Sequence, residues 1–309
     1  MLSTSFSPVG QMVASASVDN TVILWDLQGN ELGNFNEHQN YVRDISFSPD
    51  GQFIVSVSDD KTVKLWDLQR NEATTIGEHQ EYISSVSFSP NGQIIASASE
   101  GDGYIKLWDL QGKLLNTFGG GRGRVFSVGF SPNGQTIASA SEDIIQVWDK
   151  DGNLIQDFIG HRGWVRSISF SPDGRTIASA SEDATVKLWS LQGDELVTLS
   201  GHQGWVRSVS FSPDGQTIAS AGADNTIKLW NLQGNELATL TGHTDDVVSI
   251  SFSPNGQNLL SAGEDGTIKL WHRNLDQLLQ RGCNWISDYL QHNPEGKRIR
   301  NEGICTDLL

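Results

Sequence analysis

The chain of 309 residues contains only two cysteines, Cys283 and Cys305, both close to the C-terminus. They lack metal-ligand spacing, and two thiols do not make a disulfide scaffold. The composition therefore points to a reducing compartment, the cytoplasm. Positive charge is also short: 21 Lys and Arg face 37 Asp and Glu, leaving a net charge of −16. Such a balance repels nucleic-acid phosphates and anionic membrane surfaces at long range. No stretch approaches the roughly 20 apolar residues that span a bilayer. The opening Met1-Leu-Ser-Thr-Ser-Phe has neither the basic nor the apolar region of a signal peptide. These absences exclude nucleic acid and membrane as partners in this reading, and nothing in the composition calls for a cofactor.

Glycine and tryptophan are plentiful, at 32 and 10 residues. Trp25, Trp66, Trp108, Trp148, Trp189, Trp230 and Trp271 recur at steps of 41, 42, 40, 41, 41 and 41 residues. Phe-Ser-Pro recurs in phase, beginning at Phe6, Phe47, Phe88, Phe130, Phe170, Phe211 and Phe252. Segments 160–200 and 201–241 are identical at 30 of 41 positions. A period of about 40–45 residues holding several strands is the mark of propeller blades.

One unit shows how a blade arises. Val165-Arg-Ser-Ile-Ser-Phe170 is a β-branched and aromatic run, and Ser171-Pro-Asp-Gly174 supplies turn chemistry behind it. Thr176-Ile-Ala-Ser-Ala180 is a second strand of small residues. Thr185-Val-Lys-Leu-Trp189 alternates with period two, and Glu195-Leu-Val-Thr-Leu199 completes four strands. A sheet apolar on both faces is stable only when stacked between copies, and seven copies closing into a ring leave no broad face bare.

With Gly160-His161, Gly201-His202 and Gly242-His243, and with Trp25-Asp26, Trp66-Asp67, Trp108-Asp109 and Trp148-Asp149, the chain resembles the WD-repeat β-propellers. The expected fold is all-β: one seven-bladed propeller of four-stranded antiparallel blades over residues 1–281. A short C-terminal helix and tail occupy residues 282–309.

Each full unit offers His, Ser, Asp and Trp, as in His161, Ser179, Asp183 and Trp189. A hydrolytic triad is one geometry at one site, whereas this set repeats. The resemblance implies a buried hydrogen-bond chain inside each blade, so the chain is expected not to be an enzyme. Blade four departs: Gly121 stands where histidine belongs, and its turn, Glu142-Asp143-Ile144, is one residue short, which should displace Asp143. Gly119-Gly-Gly-Arg-Gly-Arg124 superficially resembles a phosphate loop, but it opens a strand and lacks a Gly-Lys-Ser/Thr ending.

Three tryptophans fall outside the structural row: Trp164, Trp205 and Trp285. In such propellers the loop carrying the first two opens onto the mouth of the central channel. Around the ring this row reads Tyr41, Tyr82, Arg124, Trp164, Trp205, Asp246. Two residues on come Arg43, Ser84, Phe126, Arg166, Arg207, Val248, and the turn adds Asp59, Glu142, Glu182 and Glu264. Aromatics, arginines and carboxylates on one face match protein-recognition surfaces. The expected partner site is Tyr41, Arg43, Tyr82, Arg124, Phe126, Trp164, Arg166, Trp205, Arg207 and Asp246. The plainer alternative has Trp164 and Trp205 covering neighbouring blades and stacking on Arg166 and Arg207.

Met1 already lies in the first strand, so blade seven should complete itself from about residues 275–280. The seam between blades one and seven should then be held by face packing alone. Val9 in the first turn and His272 after Trp271 should weaken it further. Beyond it, Trp285, Ile286, Tyr289 and Leu290 have helical spacing, with Asn284 as cap and Pro294 as stop.

The leading function is a monomeric protein-interaction scaffold that binds a protein or peptide at the channel mouth. The tail resembles segments that close repeat arrays in bacterial signalling proteins, which implies a sensing role. The alternatives are a propeller enzyme using the channel mouth, and a repeat protein without a dedicated ligand.

Overall fold

A computed structural model describes residues 1–120 and 123–272. Each repeat forms one antiparallel sheet whose strands lie in chain order. Six sheets have four strands and the seventh has three among the described residues. Blade one comprises Ser3–Phe6, Met12–Ala16, Val22–Asp26 and Glu31–Phe35. The later blades occupy 42–78, 83–119, 125–159, 165–200, 206–241 and 247–272. The expected helix from Asn284, and the fourth strand from 275–280, lie outside the described residues.

The first strand of every blade packs against the first strand of the next, from Ser3–Phe6 round to Val247–Phe252 and back. These strands are therefore the inner wall of the ring. Between blades the core is built from three sources: the small second strand of one blade, the first strand of the next, and that next blade's tryptophan. Between blades five and six, for example, Ala178 and Ala180 face Val206, Val209 and Trp230. Alanines bring the two sheets close, and the indole fills the wider outer part of the wedge.

Two belts run around this ring. At the Ser-Pro-Asp/Asn-Gly turns, each glycine has a φ near +70° and packs on the proline of the preceding blade. A β-carbon on Gly174 would stand 3.5 Å from Pro132 Cδ, so the turn needs glycine's left-handed backbone. On the inner wall, an N–H of one blade donates to a serine or aspartate of the blade before it. The bonds are Val86 N to Asp44 (3.0 Å), Val128 N to Ser85 (3.2 Å), Ile168 N to Ser127 (3.4 Å), Val209 N to Ser167 (3.2 Å) and Ile250 N to Ser208 (3.2 Å). The inner strand would otherwise present unpaired donors to the channel.

Both belts cross the seam. Thr4 N donates to Ser249 Oγ at 3.1 Å, and a β-carbon on Gly10 would meet Pro254 Cδ at 3.3 Å. The expectation of a seam held by face packing alone is therefore corrected: blades one and seven share the two kinds of contact that link five of the six other pairs. His272 is also engaged, its Nδ1 lying 2.6 Å from Asn258 Oδ1.

Candidate functional site

The inner strands share one irregularity. Val42 pairs with Ser58 and Asp44 with Val57, so Arg43 is an extra residue in a β-bulge. Ser84, Phe126, Arg166, Arg207 and Val248 are skipped in the same way. A bulge turns its extra side chain away from the regular alternation. Here it directs a second residue of each first strand to the end of the ring where the aromatic row stands. The backbone of that row is fixed by the adjoining turn. The carbonyls of Tyr41, Trp164, Trp205 and Asp246 accept from the N–H groups of Asp59, Glu182, Ala223 and Glu264 at 2.8–2.9 Å.

The predicted residues thus share one face, but they differ in what they offer. Tyr41 and Trp205 are 45% and 46% exposed. Arg124 is exposed, and Arg43, Tyr82, Trp164, Arg166, Arg207 and Asp246 are half-buried. Phe126 is a correction: it is only 7% exposed. Its ring is stacked on Trp164 at 5.4 Å and covered by the Arg166 guanidinium at 4.2 Å, so it supports the surface from below.

The arginines are paired at home. Arg43 holds Asp59 through two bonds of 2.7 Å, which together raise the guanidinium above its ordinary pKa. Arg166 holds Glu182 through Nε and Nη2. Blade six carries Ala223 at the acid position, and Arg207 reaches across to Asp246 of blade seven at 2.8 Å. Its buried Nε keeps no acceptor among the described residues. Arg124 approaches Glu100 of blade three at 3.6 Å. Arg124 and Arg166 lie 5.4 and 5.1 Å from the Trp164 ring centre, and Arg207 lies 5.1 Å from that of Trp205. The stacking expected of the plainer alternative is therefore present.

Beyond these pairs the same face carries further acid in Glu142, Asp143, Asp245 and Glu264. Glu264 and Asp245 are exposed. Glu142, Asp143 and Glu182 line a cavity of about 410 Å³ with Trp164, Gly163 and Arg162.

The repeated polar set is a buried chain. In blade two, Trp66 Nε1 donates to Ser56 Oγ at 2.7 Å, His38 Nε2 meets the same oxygen at 2.7 Å, and His38 Nδ1 meets Asp60 at 2.8 Å. Blades five, six and seven repeat this through Ser179, Ser220 and Ser261. All four serines are fully buried, so none can meet a substrate. Burial opposes ionisation of Asp60, Asp183 and Asp265. Hydrogen bonds from threonine, histidine and backbone nevertheless carry their carboxyls well below the usual range.

Blades three and four break the pattern in opposite senses. Gly101 adds one residue to the turn of blade three, and His79 Nδ1 is left 3.5 Å from Asp102. In blade four Ser139 Oγ accepts from Trp148 Nε1 at 2.9 Å, and Asp143 is exposed. The tryptophan steps of 42 and 40 signal both changes. Sequence reading used only the second.

The family profile described as "WD domain, G-beta repeat" matches residues 2–26, 29–67, 70–109, 112–149, 152–190, 193–231 and 234–272. Among curated proteins, a chromatin assembly factor 1 subunit of Mus musculus is 50% identical over 38 residues, 12% of this chain and 7% of that protein. The likeness has the length of a single blade.

Proposed function

Because this chain belongs to the WD-repeat family, whose seven repeats it carries from residue 2 to 272, we propose that it is a non-enzymatic protein-interaction scaffold. A protein or peptide docks at the mouth formed by the inner-strand bulges. The observation that carries this reading is the pairing of Arg43, Arg124, Arg166 and Arg207 each with a carboxylate of the ring itself, beside two open aromatic rings, Tyr41 and Trp205. A surface of that kind, on a chain of net charge −16, selects a partner segment that brings its own Lys or Arg. Charge steers the encounter, and burial of the aromatics holds the complex. In a larger assembly the ring acts as the sensing part. The single-blade likeness to a chromatin assembly factor protein carries over the blade and no partner.

A peptide array of systematically varied charge tests this. The wild type enriches Lys- and Arg-containing peptides, and a Tyr41→Ala/Trp205→Ala variant loses that binding while its thermal unfolding is unchanged. Equal binding by the variant, or preference for acidic peptides, overturns the reading.

A further inference from the structure

We propose that the cleft between blades one and two is a docking groove for a peptide that carries a bulky apolar side chain flanked by Lys or Arg. Both blades lie wholly within the described residues. The groove sits beside the turns that follow Phe47 and Asp67, at the end of the ring opposite the mouth. This inference is independent of the mouth.

In the outer strands of blades one, three, four and five, Gly33, Asn116, Gln156 and Val197 stand opposite Leu24, Leu107, Val147 and Leu188. From blades three, four and five this side chain reaches over the outer turn of the next blade. Asn116 Nδ2 donates to the Asp151 carbonyl at 2.8 Å. A β-carbon on Gly193 would stand 2.8 Å from Gln156 Nε2, and one on Gly234 would stand 3.0 Å from Val197 Cγ1. Between blades one and two both sides of this contact change. Gly33 has no side chain to extend, and a β-carbon there would meet the Phe35 ring at 3.6 Å and nothing of blade two within 4 Å. The facing turn, Leu68-Gln-Arg-Asn71, has Arg70 where Gly112, Gly152, Gly193 and Gly234 stand in later blades. Its left-handed residue moves one place on, to Asn71 at φ 55°.

The two changes leave a cavity of about 540 Å³. Leu24, Phe35, Leu68 and Met12 line it together with Leu32, which is 55% exposed. A space of this size, within the range of about 300–1,000 Å³ usual for ligand sites, admits one bulky side chain with part of its backbone. Charge chooses the flanks. Asp50 is exposed in the wall, its carboxylate fixed by Ser48 Oγ at 2.6 Å and Gln52 N at 3.0 Å. Glu31 and Glu72 are exposed and adjoin Leu32 and Asn71 in the chain. The one cation of the two turns, Arg70, lies 3.7 Å from Asp67. An apolar floor with an acidic rim attracts a segment with Lys or Arg beside its apolar anchor and repels an acidic one.

Methionine-methyl NMR of the full chain reads the site, because Met12 lines the groove and the sequence has one other methionine, Met1. The probes are blocked Lys-Leu-Lys, Lys-Ala-Lys and Glu-Leu-Glu tripeptides. Lys-Leu-Lys shifts the Met12 methyl signal saturably and binds at least about tenfold more tightly than Lys-Ala-Lys, the worth of a largely buried leucine. Glu-Leu-Glu binds more weakly than Lys-Leu-Lys. Gly33→Gln, which supplies the residue of blade four, abolishes binding. The fold tolerates it, since a β-carbon at Gly33 meets no close contact and glycine weakens a strand; thermal unfolding of the variant confirms this. Asn34→Gln, the neighbouring change in the same strand, leaves binding unchanged. So does Tyr41→Ala/Trp205→Ala, which separates the groove from the mouth. No saturable Met12 shift, equal binding of Lys-Ala-Lys or Glu-Leu-Glu, full affinity in Gly33→Gln, or loss of binding in the mouth variant overturns the proposal.

Discussion

His79 Nδ1 stands 3.5 Å from Asp102 Oδ2, whereas the equivalent pairs in blades two, five and seven close to 2.8 Å. The added Gly101 lengthens the turn that should bring the carboxylate in, and Nδ1 is left buried without a hydrogen-bond partner among the described residues. Burial then pushes the imidazole down to a pKa of about 4, against the pull of Asp102 and with a small contribution from Lys106.

A lowered histidine makes the fold acid-sensitive. The unfolded chain takes up the proton near pH 6.5 and the folded chain only near 4. Stability is therefore complete above the first value and lost as pH falls toward the second, by on the order of 3 kcal/mol. Urea unfolding between pH 7 and pH 4 measures this. Deleting Gly101 or replacing His79 by Phe flattens the dependence, and an unchanged slope refutes the assignment.

The serine hub predicts a contrast between blades. Ser179→Ala strands both Trp189 Nε1 and His161 Nε2, each worth about 1–3 kcal/mol when buried unpaired. Ser139→Ala strands one group, so its unfolding free energy should fall by roughly half as much. Equal losses would mean that the histidine adds nothing to its blade.

Trp164 and Trp205 occupy the same repeat position and should respond differently. Trp164 carries Phe126 and two guanidiniums, and its removal should cost about 1–2 kcal/mol through lost packing. Trp205 is 46% exposed, and Trp205→Ala should stay within about 0.5 kcal/mol of wild type. Thermal melts of the two single variants decide this.

Asp44 is the one acid in the inner belt of serines. Ser3 Oγ, Ser85 Oγ, Val86 N and Ile45 N all donate to it at 2.7–3.0 Å. It keeps a little surface open along the channel wall, yet protein crowds it on every side, and burial raises its pKa despite the four donors. A raised carboxyl favours the fold below its ordinary pKa and loses that benefit as pH rises. Against the parent, Asp44→Ser should therefore gain relative stability from pH 4 to pH 7. A difference constant with pH would show that the group is not titrating.

The seam makes a prediction for hydrogen exchange. Thr4 N–H should be protected to the same degree as Val128, Val209 and Ile250 N–H, since all four donate to the preceding blade's serine. Ser249→Ala should accelerate Thr4 selectively. Exchange of Thr4 at the rate of an open loop would contradict the closed belt.

The blades were legible because the tryptophan period and the Phe-Ser-Pro phase both follow directly from the geometry of one repeat. The face carrying Tyr41, Trp164 and Trp205 was legible as well. The depth of Phe126 was not, because a bulge changes direction without changing composition. Its trace is the pair Arg43-Asp44 between Val42 and Ile45, two polar residues where strict alternation allows one. The belts were equally hidden, since a serine within a strand looks like any small polar residue until its neighbour in the ring is known. Reading the seam from turn residues alone therefore underestimated it. The expected C-terminal helix lies beyond the described residues.

The inner belt has a sense of rotation. In six of the seven interfaces a backbone donor faces back to the side chain of the preceding blade, and Ser3 reverses the order by giving its proton forward to Asp44. Each blade thus brings one half-bond for its left neighbour and one for its right. Copying a whole repeat, as the likeness of 160–200 and 201–241 records, inserts both halves together and leaves no orphan at either new junction. Such a ring can change its number of blades without new chemistry, and curvature alone limits how many it closes with.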